Sequence, residues 1–103
     1  MTERLTKLSR SVDGSTVIVT GAASGMGRAT AHLFADEGAK VALIDIDESG
    51  LNRVADEVRT VSDSVLCLVV DLSDRLSVER AVSHVIEHYG GLDILVNLSL
   101  IHI

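Results

Sequence analysis

The sequence lacks most of what a nucleic-acid-binding protein needs. Among its 103 residues there is no tryptophan, and Phe34 and Tyr89 are the only phenylalanine and tyrosine. Single-stranded nucleic acids stack on aromatic rings, and phosphate backbones are held by Lys and Arg, which number only 9 here against 15 Asp and Glu. The formal net charge of −6 also argues against docking on anionic membranes. We therefore expect neither nucleic acid nor a membrane as a partner.

Cysteine pairs, proline and long apolar runs are missing as well. Cys67 is the only cysteine, so no internal disulfide can form and nothing requires an oxidising compartment. The charged N-terminus has no apolar stretch of the kind found in signal peptides, and the longest apolar run, residues 65–70, is far too short to span a bilayer. At 103 residues the chain holds one domain at most. With no disulfide, signal peptide or membrane span indicated by the sequence, we expect it in the cytoplasm.

Hydrophobic residues make up 47% of the sequence, and they are mainly Val, Leu, Ile and Ala. Such aliphatic residues suit strands that are buried on both faces of a sheet. Four apolar runs are too short for helices and rich in Val, Ile and Leu, so we predict a buried strand at each. They span residues 16–20, 40–46, 65–70 and 94–98.

Three segments with the periodicity of amphipathic helices lie between these runs. The first spans residues 26–37 and ends at Gly38, because glycine commonly follows the C-terminus of a helix. The second begins near Asp47, a good N-cap, and the third begins near Ser73 and ends at Gly90. Each carries an apolar stripe that we expect to be buried. The predicted stripes are Met26, Ala29, Leu33 and Phe34; then Leu51, Val54, Ala55, Val58 and Val61; then Val78, Val82, Val85, Ile86 and Tyr89.

Strand and helix therefore alternate strictly, in the order β-α-β-α-β-α-β. Parallel strands joined by right-handed crossovers give a doubly wound α/β sheet with helices covering it. Such sheets usually continue past the fourth strand, so we expect the sequence to be the first half of a larger domain.

The strongest functional signal is a glycine-rich segment, Thr-Gly-Ala-Ala-Ser-Gly-Met-Gly, at residues 20–27. It follows a predicted strand and opens a predicted helix, the context in which such a motif binds a pyrophosphate. Gly21 permits the tight turn, Gly25 lets the backbone approach the pyrophosphate, and Gly27 lets the helix pack near the sheet. The helix N-terminus adds free N–H groups and the positive end of its dipole. The alternative interpretation is an ordinary turn.

An acidic residue, Asp45, lies at the end of the second predicted strand, 18 positions after Gly27. Dinucleotide-binding folds place a carboxylate near this position, where it accepts hydrogen bonds from the adenosine ribose and repels a 2′-phosphate. The glycine segment contains Ser24 rather than a basic residue, and the nearest cation, Arg28, is expected on the first turn of the helix. We therefore predict NAD rather than NADP. Asp45 could instead cap the next helix, although Asp47 fits that role better.

Two further positions follow predicted strands. Asp71 and Leu72 come directly after the third strand, at an edge where an acidic side chain can reach an adenine amino group. An aspartate there is equally often a turn or a helix cap. Asn97 ends the fourth strand, where it could form a hydrogen bond across the sheet. Neither position identifies a site by itself.

Taken together, these features resemble the short-chain dehydrogenase/reductase family. The resemblance covers residues 14–97 and rests on the Thr-Gly-x-x-x-Gly-x-Gly spacing, Asp45, the Asp71-Leu72 pair and the Leu-Val-Asn sequence at 95–97. It implies a Rossmann-type fold and NAD-dependent hydride transfer between nicotinamide and an alcohol or ketone. It also implies that the whole protein binds a small-molecule substrate and forms a homo-oligomer.

The resemblance assigns a role to each residue that matches the family's motifs. The pyrophosphate and the adjoining ribose would be held by Gly21, Ser24, Gly25, Met26 and Gly27. The adenosine ribose would be bound by Asp45 and Ile46, and the adenine by Asp71 and Leu72. Asn97 would line the cofactor after the fourth strand.

The sequence departs from the family's pattern after Asn97. The family continues with Asn-Ala-Gly, whereas this sequence continues with an apolar tail at residues 98–103. An exposed apolar tail favours aggregation, so we expect foreign sequence there, from a frameshift, the boundary of a cloned insert or a read artefact. We divide the chain into an extension (1–13), a partial NAD-binding domain (14–97) and this tail (98–103).

The residues that perform catalysis in the family are also absent. The family uses a serine and a Tyr-x-x-x-Lys motif, but Tyr89, the only tyrosine, is followed four positions later by Asp93. We therefore assign no catalytic residue. We also assign no metal site, because His84 and His88 fit a solvated helix face. Whether the chain is an enzyme stays open. The alternatives to an oxidoreductase's cofactor-binding half are a non-catalytic dinucleotide-binding module and an inert fragment.

Overall fold

The computed structural model describes residues 12–98. The predicted alternation of strands and helices is confirmed, and each strand differs from its predicted bounds by no more than one residue. The elements are β1 (Thr16–Thr20), α1 (Gly25–Asp36), β2 (Lys40–Asp45), α2 (Glu48–Val58), β3 (Val65–Val69), α3 (Arg75–Tyr89) and β4 (Ile94–Asn97).

The four strands form one parallel sheet in the order β3-β2-β1-β4. Val17 of β1 pairs with Val41 of β2 on one side and with Ile94 of β4 on the other, and Val41 pairs in turn with Val65 of β3. The chain therefore moves outward from β1 to β3 and then crosses to the opposite side of β1. In open parallel sheets this switch point leaves a crevice at the carboxyl ends of the strands, where ligands bind.

Helices cover both faces of the sheet, as expected for a doubly wound fold. Val17 and Val19 of β1 pack in a cluster with α1 and α2, while Ile18 packs in a second cluster with α3. Alternate residues of a strand point to opposite faces, so a strand buried on both faces must be apolar throughout. All five residues of β1 are buried, including Thr16 and Thr20.

The prediction that all four strands are buried is wrong for β3 and β4. These strands are the edges of the described sheet, and their residues are half-buried or exposed. Val69 of β3 and Leu95 of β4 are 51% and 39% exposed. An apolar run predicts a strand but carries no information on whether that strand lies at the centre or at an edge.

The predicted apolar stripe of α1 is also wrong. Met26 and Leu33 are 68% and 59% exposed, and Ala29 is exposed as well. The buried residues are instead Gly27, Ala31 and Ala35. These residues follow one another at intervals of four, so α1 approaches the sheet through small side chains, and only Phe34 of the predicted stripe packs against the core.

The stripe of α2 is confirmed except at its last member, and that of α3 is confirmed only in part, since Val82 and Tyr89 are half-buried. Leu51, Val54, Ala55 and Val58 of α2 are buried, as are Val78 and Val85 of α3. Val61 is 55% exposed because α2 ends at Val58, and Ile86 of α3 is 42% exposed. Ala81 of α3 was not predicted, and it is buried. Hydrophobic periodicity thus predicts the burial of large apolar residues better than the burial of small ones.

The predicted helix ends agree closely with the structure. Asp47 caps α2 by accepting a hydrogen bond from the Gly50 N–H, and Asp74, one residue after the predicted Ser73, caps α3. Gly90 ends α3 in the left-handed conformation, with φ +86°. Across residues 12–98, no helix is long and apolar enough to cross a bilayer. The predicted extension and tail lie outside the described residues, apart from positions 12, 13 and 98.

Candidate functional site

The turn after β1 is built on Gly21, which has φ +70°. A side chain is strained in this conformation, and a Cβ atom at Gly21 would also lie 3.3 Å from the Leu98 carbonyl oxygen. The next residue, Ala22, donates its N–H to the carbonyl of Ile44 at 3.2 Å. The turn is therefore fixed between the ends of β2 and β4, as the glycine pattern predicts.

Gly27 is enclosed by protein, whereas Gly25 is exposed. Gly27 is buried, and a Cβ atom there would lie 2.7 Å from the Ala22 Cα atom, so α1 packs against the loop only because residue 27 has no side chain. A Cβ atom at Gly25 would meet nothing within 4 Å. The surface over Gly25 is therefore open, which is the space that a bound pyrophosphate requires.

Ser24 organises the N-terminus of α1. Its hydroxyl accepts a hydrogen bond from the Gly27 N–H at 3.0 Å and donates one to the Gly21 carbonyl at 2.7 Å. Within the described chain, the N–H groups of Gly25 and Met26 have no acceptor. Ser24 thus closes the loop while two amides at the positive end of the helix dipole stay available to an anion.

Asp45 lies beside this loop and contacts it. One carboxylate oxygen accepts the Ala23 N–H at 2.9 Å, and the other accepts the Asp47 N–H at 3.0 Å. Each carboxylate oxygen has two lone pairs, so both can accept a further hydrogen bond. The structure therefore brings the glycine loop and Asp45 together, and it assigns the cap of α2 to Asp47. Ile46, between the two aspartates, is 61% exposed.

Asp71 forms a local turn, which is one of the two interpretations that the sequence allows for this residue. It accepts hydrogen bonds from the Ser73 hydroxyl at 2.6 Å and the Ser73 N–H at 3.0 Å, and these bonds lower its pKa. Asp71 also borders a cleft of about 350 Å³ between β3 and α3, to which Arg80 and His84 contribute. The neighbouring Leu72 is half-buried against the α3 side of the sheet.

Asn97 is held by a residue to which the sequence reasoning gave no role. The buried Thr20 hydroxyl donates to the Asn97 side-chain oxygen at 2.8 Å and accepts the Leu98 N–H at 3.2 Å. Thr20 thereby fixes the Asn97 amide at the end of β4. The signal in the sequence is a polar residue that ends an otherwise apolar strand directly before the first glycine.

A charged cluster joins α1 to α2, and sequence reasoning missed its central residue, Glu57. The Arg28 guanidinium donates to both Glu57 oxygens, at 2.6 and 3.1 Å, and the His32 ring contacts one of them at 2.9 Å. The hydrogen bonds from Arg28, and then those from His32, lower the pKa of Glu57 to about 2. The three partners are separated by up to 29 positions, which no local pattern reveals.

The remaining chemically reactive side chains lie away from the glycine loop. The Tyr89 hydroxyl donates to the Val41 carbonyl at 3.2 Å, and burial raises its pKa, as expected of a packing residue. Burial also raises the pKa of the half-buried Cys67 thiol. His84 and His88 are exposed on α3. Among residues 12–98 there is no group of three or more ligands that could hold a metal.

A parallel sheet of this order, with a glycine turn at its switch point and an acidic residue after β2, defines a nucleotide-binding α/β fold of the Rossmann type. The family model for short chain dehydrogenases matches residues 15–99, and the chain belongs to that oxidoreductase family. The resemblance stated from the sequence is thus confirmed.

Two curated relatives illustrate the similarity. The chain is 36% identical over 86 residues to a sorbitol dehydrogenase of Cereibacter sphaeroides, covering 84% of this chain and 32% of that protein. It is 38% identical over 86 residues to a 3-oxoacyl-[acyl-carrier-protein] reductase of Thermotoga maritima, covering 84% of this chain and 35% of that protein. The chain therefore spans about a third of the length of these relatives.

Solved structures agree with this assignment. A 3-ketoacyl-(acyl-carrier-protein) reductase from Brucella melitensis, complexed with NADH, aligns with a TM-score of 0.74 at 38% identity, covering 82% of this chain and 33% of its own. A short chain dehydrogenase/reductase from Burkholderia phymatum in complex with NAD aligns with a TM-score of 0.78 at 34% identity, covering 82% and 30%.

Proposed function

We propose that this chain is the cofactor-binding portion of an NAD-dependent oxidoreductase that transfers hydride between nicotinamide and an alcohol or ketone. The observation that carries the proposal is the hydrogen bond from the Ala23 N–H to Asp45, 2.9 Å long. It makes the glycine loop and the carboxylate after β2 parts of one site. Membership of the family and structural neighbours in complex with NADH and NAD support the same function.

The residues of the site fit a dinucleotide. The open surface over Gly25 suits a pyrophosphate, as do the N–H groups of Gly25 and Met26, which have no acceptor among residues 12–98. Asp45 keeps lone pairs for the hydroxyls of a ribose. When bound, a nicotinamide dinucleotide supplies a ring that accepts or donates hydride. Around it, the other predicted contacts are Gly21, Ser24, Gly27, Ile46, Asp71, Leu72 and Asn97.

We propose NAD rather than NADP as the cofactor. A carboxylate at Asp45 repels a 2′-phosphate, while the cation nearest to the glycine loop in the sequence, Arg28, is paired with Glu57. The negative charge at Asp45 is therefore not neutralised by Arg28.

Replacing Asp45 tests both the function and the choice of cofactor. Asp45→Asn keeps the size of the side chain but removes its charge, so we expect it to weaken NAD⁺ binding about tenfold and to reduce the discrimination against NADP⁺. Isothermal titration calorimetry with each dinucleotide measures both constants, and circular dichroism checks the fold. Asp63→Asn, at an exposed residue before β3, is the control and should bind like the wild type. A wild-type chain that is folded but binds neither dinucleotide contradicts the proposal.

A dinucleotide-binding module without turnover is the second candidate. The observation in its favour is that Tyr89, the only tyrosine in the given sequence, is half-buried and donates its hydroxyl to the Val41 carbonyl, as a packing residue does. Sequencing the source DNA beyond the codon for Asn97 separates the two candidates. A continuation that reaches Tyr-x-x-x-Lys supports the enzyme, and a longer domain without it supports the module.

Family membership also suggests properties of the whole protein. We propose that it takes a small-molecule alcohol or ketone, forms a homo-oligomer and works in the cytoplasm. The division into an extension (1–13), a partial NAD-binding domain (14–97) and a tail (98–103) likewise stays a proposal.

A further inference from the structure

We infer that Glu57 is a specificity-determining residue, which favours NAD by holding the Arg28 guanidinium away from the ribose end of the site. The inference rests on the proposed function, because it concerns how the same site chooses between two dinucleotides. Glu57 lies on a different helix from the glycine loop and would act only through Arg28, so its role is that of a positioning residue.

Arg28 is well placed to reach the cofactor if it is released. It directly follows Gly27, and its N–H donates to the Ser24 carbonyl at 2.8 Å, so it lies one helical turn beyond Ser24. Side chains on a helix lean toward its N-terminus, so an Arg28 side chain that Glu57 did not hold would extend back over the turn that begins at Ser24. Ala23, adjacent to Ser24, is hydrogen-bonded to Asp45, the expected ribose ligand. A cation in this region is what accommodates a 2′-phosphate.

Glu57 instead draws the guanidinium across to α2. Both of its carboxylate oxygens accept from Arg28, in the two-point geometry that Arg and carboxylate groups favour. His32 contacts the same carboxylate at 2.9 Å and so fixes its orientation. Glu57 is charged at neutral pH, as any glutamate with a pKa well below 7 is, so both of its oxygens are available to Arg28.

The Arg28 side chain is 57% exposed, and within residues 12–98 its guanidinium is hydrogen-bonded only to Glu57. No dense packing therefore prevents it from moving once Glu57 is gone. Removing the carboxylate should leave the glycine loop and Asp45 in place while freeing one positive charge beside them. The expected consequence is better binding of a dinucleotide that carries an extra phosphate.

Calorimetric titration of the chain with NAD⁺ and with NADP⁺ tests this inference. We expect Glu57→Ala to bind NADP⁺ about five- to tenfold more tightly than the wild type, with the NAD⁺ constant changed less than about twofold, since a partly exposed Arg–phosphate contact is of modest strength. Glu79→Ala is the matched control, because Glu79 pairs with Arg75 at 3.2 Å on α3, away from the loop. It should leave both constants unchanged.

The double variant Arg28→Gln/Glu57→Ala separates release of Arg28 from general loosening of the helices. The gain in NADP⁺ affinity should disappear in it, and a gain that persists overturns the inference. An unchanged NADP⁺ constant in a Glu57→Ala chain that still binds NAD⁺ overturns it as well, while a wild-type chain that binds neither dinucleotide overturns the proposed function itself. If Glu57→Ala does not fold, Glu57→Gln, which keeps the size but loses the charge, is held to the same criteria.

Discussion

Two glycines of one loop are required for different physical reasons. At Gly27 a Cβ atom would lie 2.7 Å from the backbone of Ala22. Both atoms belong to the backbone or are fixed to it, so the clash could be relieved only by shifting α1 relative to the loop. At Gly25, apart from its chain neighbours and its own helix backbone, the same atom would meet nothing within 4 Å among residues 12–98. The requirement at Gly27 is thus one of folding, and we propose that the requirement at Gly25 is one of ligand access.

These two positions give a paired prediction. Gly27→Ala should lower the free energy of unfolding by about 1–3 kcal/mol, the usual cost of forcing an extra methyl group into a packed site. Gly25→Ala should change it by less than about 0.5 kcal/mol but weaken NAD⁺ binding, because its methyl group would occupy the open surface. Urea denaturation and calorimetric titration measure the two effects. Equal losses of stability in both variants would contradict this division of roles.

At the scale of the elements, the sequence predicts strands better than it predicts helix faces. Each strand is an apolar run, and its end is marked by a polar or glycine residue, so its bounds follow from the sequence to within one residue. The buried face of α1 does not follow, because it consists of Gly27, Ala31 and Ala35 rather than of large apolar residues. Close contact between a helix and a sheet selects small side chains, whereas a hydrophobic pattern weights large ones.

The contact between α1 and α2 through Glu57 should make the stability of the fold depend on pH. The folded pKa of Glu57 is about 2, below its ordinary value of 4.5, so the carboxylate stabilises the fold fully above about pH 4.5. That contribution is lost as the pH falls from about 4.5 to about 2, since protonation then removes the charge that Arg28 and His32 contact. In urea denaturation across this range, the wild type should lose more stability than Glu57→Ala. Parallel pH profiles would show that the cluster does not stabilise the fold.

At the scale of the whole molecule, contacts between distant parts of the chain complete the site. Thr20 reaches Asn97 across 77 positions, and Ala23 reaches Asp45 across 22. The Asp45 contact could be anticipated because parallel strands place their carboxyl ends at one edge of the sheet. The Arg28–Glu57–His32 cluster could not, because each of its members is an ordinary surface residue in the sequence.

On the whole molecule, the dinucleotide should bind at the N-terminus of α1, and two-dimensional amide NMR during a titration with NAD⁺ shows whether it binds there. We predict that the largest shifts involve the N–H groups of Gly25 and Met26, with smaller shifts at Ala23 and near Asp45. The N–H groups of α3 beyond its first turn, such as that of Ile86, should change little. Shifts that centre on α3, or no shifts from a folded chain at millimolar NAD⁺, would contradict the account.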